Sequence, residues 1–188
     1  MREFIELEYA QDIILALVAP DVLETISLEE ALGRVMADAY VAEINIPPFD
    51  RSPLDGYAIW GEDTLESLPV KLKLIGEIPA GQNFSGGLNR GEAVQILTGS
   101  PLPAGANAVI RQEDTVETEG YVHINRRVLP GESISLRGED IKRGDIFPGG
   151  FALTPAAIGI LASQGQSHVR VHRKPVVSLI STGDELVL

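Results

Sequence analysis

Carboxylates, hydroxyls and glycines crowd into four short stretches of this sequence. The first is Pro47-Pro48-Phe49-Asp50-Arg51-Ser52-Pro53-Leu54-Asp55-Gly56-Tyr57-Ala58. Its prolines stiffen the approach and Gly56 permits a positive φ, so Asp55 is expected as a carboxylate held at a rigid turn before a strand. In the second, Leu97-Thr98-Gly99-Ser100-Pro101, the Thr98 hydroxyl is placed to hydrogen-bond an oxyanion, and amides near Gly99 are placed to form an anion nest. Arg137-Gly138-Glu139-Asp140 sets two acids beside a guanidinium, and Ser181-Thr182-Gly183-Asp184-Glu185 follows an apolar run. Each of the first three also has a plainer reading: an Asx turn, a hydroxyl-rich turn, or a surface ion pair contributing ~0 to 1 kcal/mol.

Other chemistries are poorly supplied. The chain has no cysteine, which excludes disulfides, thiolate metal sites and cysteine nucleophiles. Its histidines, His123, His168 and His172, are scattered, and no phosphate-binding, dinucleotide, zinc-protease or serine-hydrolase motif occurs. A net charge of -12 repels polyanions, so nucleic acid is not an expected partner. No apolar run is long enough to cross a bilayer and no signal peptide is visible, so no membrane role and a cytoplasmic location are expected.

The elements that must position these stretches follow from periodicity. Leu7, Ala10, Ile13, Ile14 and Leu17 recur at helical spacing to about Val18. Ser27-Leu28-Glu29-Glu30 has a capping-box pattern before a stop at Gly33, which predicts a short helix. From Asn45 to Phe147 short strands alternate with turns: Tyr57 to Trp60, Val70 to Ile75, Ala93 to Leu97, Ala108 to Gln112 and Tyr121 to Asn125, with a hairpin tip at Thr118-Glu119-Gly120. Thr154-Pro155 opens another helix that stops at Gly165, and Pro175 to Ser181 reads as a strand buried on both faces. The expected fold class is α+β: a discontinuous helical domain (1–44 and 149–174), a β-rich, partly barrel-like insert (45–148), and the opening strand of a truncated α/β domain (175–188). Ligands of open α/β sheets gather beyond strand carboxyl ends, where Gly183, Asp184 and Glu185 lie.

Taken together and in order, the four stretches resemble the MoeA/gephyrin E-domain family of molybdenum insertases. Pro47-Pro48-Phe49-Asp50, Ser52 and Asp55-Gly56-Tyr57-Ala58 follow the family pattern PPFDxSxxDGYA. Thr98-Gly99-Ser100-Pro101 with Gln112-Glu113-Asp114-Thr115, then Arg137 to Ile141, then Ser181 to Leu186 match in turn. The departures are Arg51 for a common Asn, Pro53-Leu54 for Ala-Met, Ser100 for Ala and Arg111 for an apolar residue. None removes a carboxylate or the threonine of the motif.

The resemblance implies insertion of molybdenum from molybdate into adenylylated molybdopterin, with Mg2+ assisting. It implies a homodimer, and contacts with a molybdopterin adenylyltransferase and with apo-molybdoenzymes. Carried onto this chain, it makes Asp55, Thr98, Asp140 and Glu185 catalytic, and Arg51, Ser100, Arg137, Thr182, Gly183 and Asp184 substrate-binding; the metal ligands stay open. Bringing an anion within ~4 Å of a carboxylate costs on the order of 4 kcal/mol at an effective dielectric of about 20. The acids would therefore hold magnesium, orient a water or take a proton rather than touch molybdate directly. Residues 1–188 alone are expected to lack insertase activity. The alternatives are a non-catalytic dimerisation or scaffolding module and a carboxylate-pair hydrolase.

Overall fold

The computed structural model describes residues 5–17, 22–79 and 81–178 of the chain. The chain divides into two compact units, one formed by Met1–Val41 with Ile146–Leu188 and the other by Ala42–Asp145. Strand dominates the second unit, whereas the only α-helices among the described residues, α1 (Leu7–Leu17) and α2 (Pro155–Ser163), lie in the first.

In the first unit, β1 (Leu23–Ser27) pairs antiparallel with β10 (His168–His172), and β2 (Tyr40–Val41) with β9 (Ile146–Phe147). Leu28, Ala31, Met36, Leu153, Leu161 and Val171 make its core. Thr154 caps α2 as the sequence requires, its Oγ1 accepting from Ala157 N at 3.2 Å, and Gly165 closes the exit at φ 82°. The capping box at Ser27 does not form: Ser27 ends β1, its side chain makes no cap bond, and Leu28–Glu30 is a single 3-10 turn. Pairing of β1 with β10 competes with the helix there and holds Ser27 in extended backbone. The apolar run near the C-terminus is not a strand over Pro175–Ser178. Val176 and Val177 are 84% and 78% exposed, because no described strand lies beside them to satisfy a ladder. Residues 179–188, with the rest of that expected strand, lie outside the described residues.

The second unit is built on one sheet of six strands: β3 (Gly56–Ile59), β4 (Val70–Ile78), β5 (Glu92–Ile96), β6 (Ala108–Arg111), β7 (Thr115–Thr118) and β8 (Tyr121–Ile124). Their spatial order is β6-β3-β5-β4-β8-β7, antiparallel except for the β4–β5 pair. Period-two alternation buries both faces. Tyr57, Ile59, Ile110 and Val122 pack on one side, while Ala58, Val94, Ile96 and Val109 pack on the other. Full burial of each such large side chain contributes about 1.5–3 kcal/mol. β4 pairs with β8 over its first half and shifts register against β5 between Leu74 and Glu77, which bends the sheet. β3 and β7 are separated by three strands, yet the Tyr57 hydroxyl donates to Glu117 Oε2 at 2.9 Å, so the sheet curls into a half-barrel. Burial, then the bond to Glu117 and its charge, push the Tyr57 phenol up to about 12. The expected hairpin tip is present, with Glu119 and Gly120 at φ 52° and 78° between β7 and β8.

Gly56 serves a different purpose from the one its sequence position suggests. Its φ is not positive; rather, a Cβ built on it would lie 1.9 Å from the Ile110 carbonyl oxygen. β3 lies between β5 and β6, and only a residue without a side chain lets β6 close on it there. Replacing Gly56 by Ala is expected to destabilise the chain by about 2–3 kcal/mol, read as a lower urea midpoint with an unchanged slope.

Candidate functional site

All the candidate residues within the described residues sit on the second unit, and one stretch, Asn45 to Gly56, brings them together. On one side it meets the turn after β5: Ser52 N donates to Ser100 O at 3.1 Å, Gly99 N to Ser52 O at 2.7 Å and Leu102 N to Asp50 O at 2.9 Å. On the other it meets the stretch after β8: Arg51 and Ser135 exchange both backbone bonds, at 3.0 and 2.9 Å, and Gly138 N donates to Pro47 O at 2.9 Å. Arg51 thus forms a bridge with Pro101 and another with Ser135. The first three motif stretches are therefore one hydrogen-bonded assembly. The fourth, with Thr182, Gly183, Asp184 and Glu185, lies outside the described residues.

Asp55 is not an Asx turn. The local turn is made by the buried Ser52, whose hydroxyl bonds the Leu54 carbonyl and accepts from Leu54 N at 3.3 Å. That leaves the Asp55 carboxylate for a partner far along the chain: Thr98 N and Thr98 Oγ1 both donate to Asp55 Oδ1 at 2.7 Å. The backbone bond first and the hydroxyl bond second hold the Asp55 carboxyl below its usual range. Asp55 and Thr98 are both exposed, and Oδ2 accepts no hydrogen bond from the described residues.

The backbone donors that the sequence offered to an anion are already engaged. Thr98 N serves Asp55, Gly99 N serves Ser52 O and Ser100 N serves Leu97 O, so no nest is open there. The Thr98 hydroxyl donates to a carboxylate rather than standing free for an oxyanion. Around Asp140 the account is equally full. Amides Leu136 through Asp145 all find acceptors, from Glu139 Oε2 for Leu136 N to Asp145 Oδ2 for Lys142 N. These two loops therefore leave no amide free for a ligand.

Arg51, half-buried, and Arg137, exposed, have no ion-pair partner among the described residues. Arg111 does have one, joining Asp114 at 3.4 Å in a network that continues through Arg126 to Glu132. Burial raises the Asp114 carboxyl, but the Arg126 bond and the two guanidinium charges outweigh it and leave the carboxyl lowered. Ser100 is 3% exposed and belongs to the frame beneath the turn. Asp140 is exposed in the loop that Ile46 grips: Ile46 O accepts from Asp140 N and Ile141 N, each at 3.0 Å.

No group of three or more His, Asp or Glu stands assembled as a metal cage among the described residues. Magnesium, however, is commonly held by one or two carboxylates together with substrate phosphates. An exposed, firmly ionised Asp55 with one unengaged oxygen fits that mode. Sequence reasoning passed over Asn45 and Asp50, whose side chains accept from Arg143 N at 2.8 Å and Arg137 N at 2.7 Å. The available signal was two short polar acceptors flanking a proline pair, a pattern that favours side-chain-to-backbone bonds.

Thr98→Val deletes the hydroxyl bond and keeps the amide bond. The Asp55 carboxyl is therefore expected to rise part of the way towards its ordinary value of 3.8, read by NMR carboxyl titration. A lowered folded value gives stability present above the unfolded value and lost as pH falls through the folded one. The variant should accordingly begin acid unfolding at higher pH, and the two proteins should converge at the acid extreme.

The family model for the MoeA N-terminal region (domain I and II) matches residues 5–165. A molybdopterin molybdenumtransferase from Staphylococcus epidermidis is 39% identical over 166 residues, 86% of this chain and 40% of that protein. One from Staphylococcus aureus is 38% identical over 167 residues, 87% of this chain and 40% of its own. The chain thus spans about two-fifths of the length of these relatives. A crystal structure of the molybdopterin biosynthesis MoeA protein from Pyrococcus horikoshii superposes with a TM-score of 0.79 at 41% identity, over 81% of this chain and 41% of the other. A second structure of that protein gives 0.77 at 36%, over 92% and 45%.

Proposed function

We propose, from the premise that this chain belongs to the MoeA family, that it is the N-terminal part of a molybdopterin molybdenumtransferase. The reaction is transfer of molybdenum from molybdate into adenylylated molybdopterin during molybdenum-cofactor biosynthesis. The observation that carries this reading to particular residues is the Asp55–Thr98 pair on a surface into which the first three motif stretches are bonded.

The lowered Asp55 carboxyl discriminates among possible roles. A proton acceptor works best when its own affinity for protons lies near the operating pH. Asp55 is displaced the other way, so its part is a permanent negative charge that orients a water or completes the shell of a cation. Thr98 acts through Asp55, holding Oδ1 with two donors so that Oδ2 is the oxygen presented. Arg51 and Arg137 are the side chains that meet the anionic groups of the substrate, and Asp140 is a second charge in the same assembly. Ser100 contributes through the frame. Glu185 as a catalytic residue, and Thr182, Gly183 and Asp184 as substrate-binding residues, belong to the same proposal through the sequence motif alone. Magnesium, when bound, would offset the charge of the substrate phosphate, with Asp55 as one of its holders.

The homodimer, a cytoplasmic location, and contacts with a molybdopterin adenylyltransferase and with apo-molybdoenzymes belong to the same proposal. So does the division into a discontinuous helical domain, a β-rich insert and an α/β domain that begins near residue 175. In the protein encoded by the complete reading frame, Asp55→Asn is expected to lower molybdenum insertion by about 100-fold through the loss of its fixed charge, measured by reconstitution of an apo-molybdoenzyme, with secondary structure and oligomeric state unchanged. Undiminished insertion would instead favour a non-catalytic assembly module.

A further inference from the structure

The loop that carries Asp140 is held by hydrogen bonds and hardly at all by burial. Between Leu136 and Asp145 only Gly138 is buried, Leu136 is 56% exposed, and no residue of the loop enters a hydrophobic cluster. Its shape rests on where its amides find acceptors. Asn45 to Asp50 supplies several of them: Pro47 O for Gly138 N at 2.9 Å, and Ile46 O for Asp140 N and Ile141 N. Two of the acceptors that this stretch supplies are side chains, one towards each end of the loop, beside Glu139 and Asp145 of the loop itself. Asp50 Oδ1 accepts from Arg137 N at 2.7 Å and Asn45 Oδ1 from Arg143 N at 2.8 Å, with Asp140 between them. The Asp50 bond is charge-assisted, roughly twice as strong as a neutral one. Asp50 is also exposed, so its charge stands at the surface beside the loop that it holds.

We propose that Asp50 and Asn45 are positioning residues, paired clamps that fix the Arg137–Arg143 loop and thereby set Asp140 in place against the stretch carrying Asp55. The inference deepens the functional reading and rests on it for its consequence in turnover. Its structural half is read independently.

The test compares Asp50→Ala, Asp50→Asn and Asn45→Ala in the protein encoded by the complete reading frame. Amide hydrogen exchange is followed together with kcat and KM for molybdenum insertion. Asp50→Ala is expected to raise exchange at Arg137 at least about tenfold while Tyr57 to Ile59 keep their protection. The same variant should lower kcat about tenfold or more with KM little changed. Asp50→Asn retains the Oδ1 acceptor and should recover most of both. Unaltered exchange at Arg137 in Asp50→Ala would overturn the clamp, and so would raised exchange with undiminished kcat. If Asp50→Ala also strips protection from β3, Asn45→Ala read at Arg143 decides by the same two measures. Full turnover in Asp55→Asn would sink the functional reading alone, since the exchange data still test the clamp.

Discussion

The stretch from Asn45 to Gly56 has to satisfy its own backbone while lying between two loops, and it does so by bonding both at once. Arg51 shows the constraint in a single residue: bridged to Pro101 on one flank and to Ser135 on the other. A segment rich in proline cannot form a regular ladder, because proline lacks the donor. Many of the remaining groups of this stretch, among them Ile46 N, Arg51 N and Ser52 N and the carbonyls of Ile46, Pro47, Asp50 and Ser52, therefore meet irregular partners. The chemistry-bearing residues occupy their places because they lie at the ends of those matches.

Electrostatics follow from the same arrangement. Since the amides of the Thr98 turn and of the Asp140 loop are engaged internally, these two loops offer a ligand no open nest of backbone donors. Asp55 has two donors on one oxygen and remains ionised, whereas Arg51 and Arg137 are without ion-pair partners among the described residues. Fixed negative charge and available guanidinium groups thus coexist on one assembly. With an overall charge of -12, the binding of any anion here would depend on such local cationic groups.

Beneath the assembly, the half-barrel provides stiffness. β3 follows Asp55 directly and is buried on both faces, and its neighbour β6 delivers Gln112 N to the Asp55 carbonyl at 3.2 Å. The ion network through Arg111, Asp114, Arg126 and Glu132 ties the end of β6 to the loop that precedes the Asp140 stretch. Positions on both sides of the site are thereby referred to one rigid sheet.

Local signals in the sequence determined those elements whose pattern is carried by their own residues. The cap at Thr154 and the hairpin tip at Glu119-Gly120 depend on nearest neighbours, and core strands such as Tyr57 to Ile59 show in their own apolar, β-favouring residues, although which strand pairs with which was not legible. The capping pattern at Ser27 misled because a strand far along the chain, beginning at His168, competed for the same backbone. The apolar run after Pro175 misled because burial on two faces presupposes neighbouring strands. Collinear motifs marked Asp55, Thr98 and Asp140 as candidates. Only the tertiary structure decided that Thr98 serves Asp55, that Gly56 is required by the approach of Ile110, and that Asp50 and Asn45 grip the Asp140 loop. The reason is that each of these is a contact between residues 40 or more positions apart, and which distant donor meets which acceptor is fixed by the folded sheet, not by adjacency along the chain.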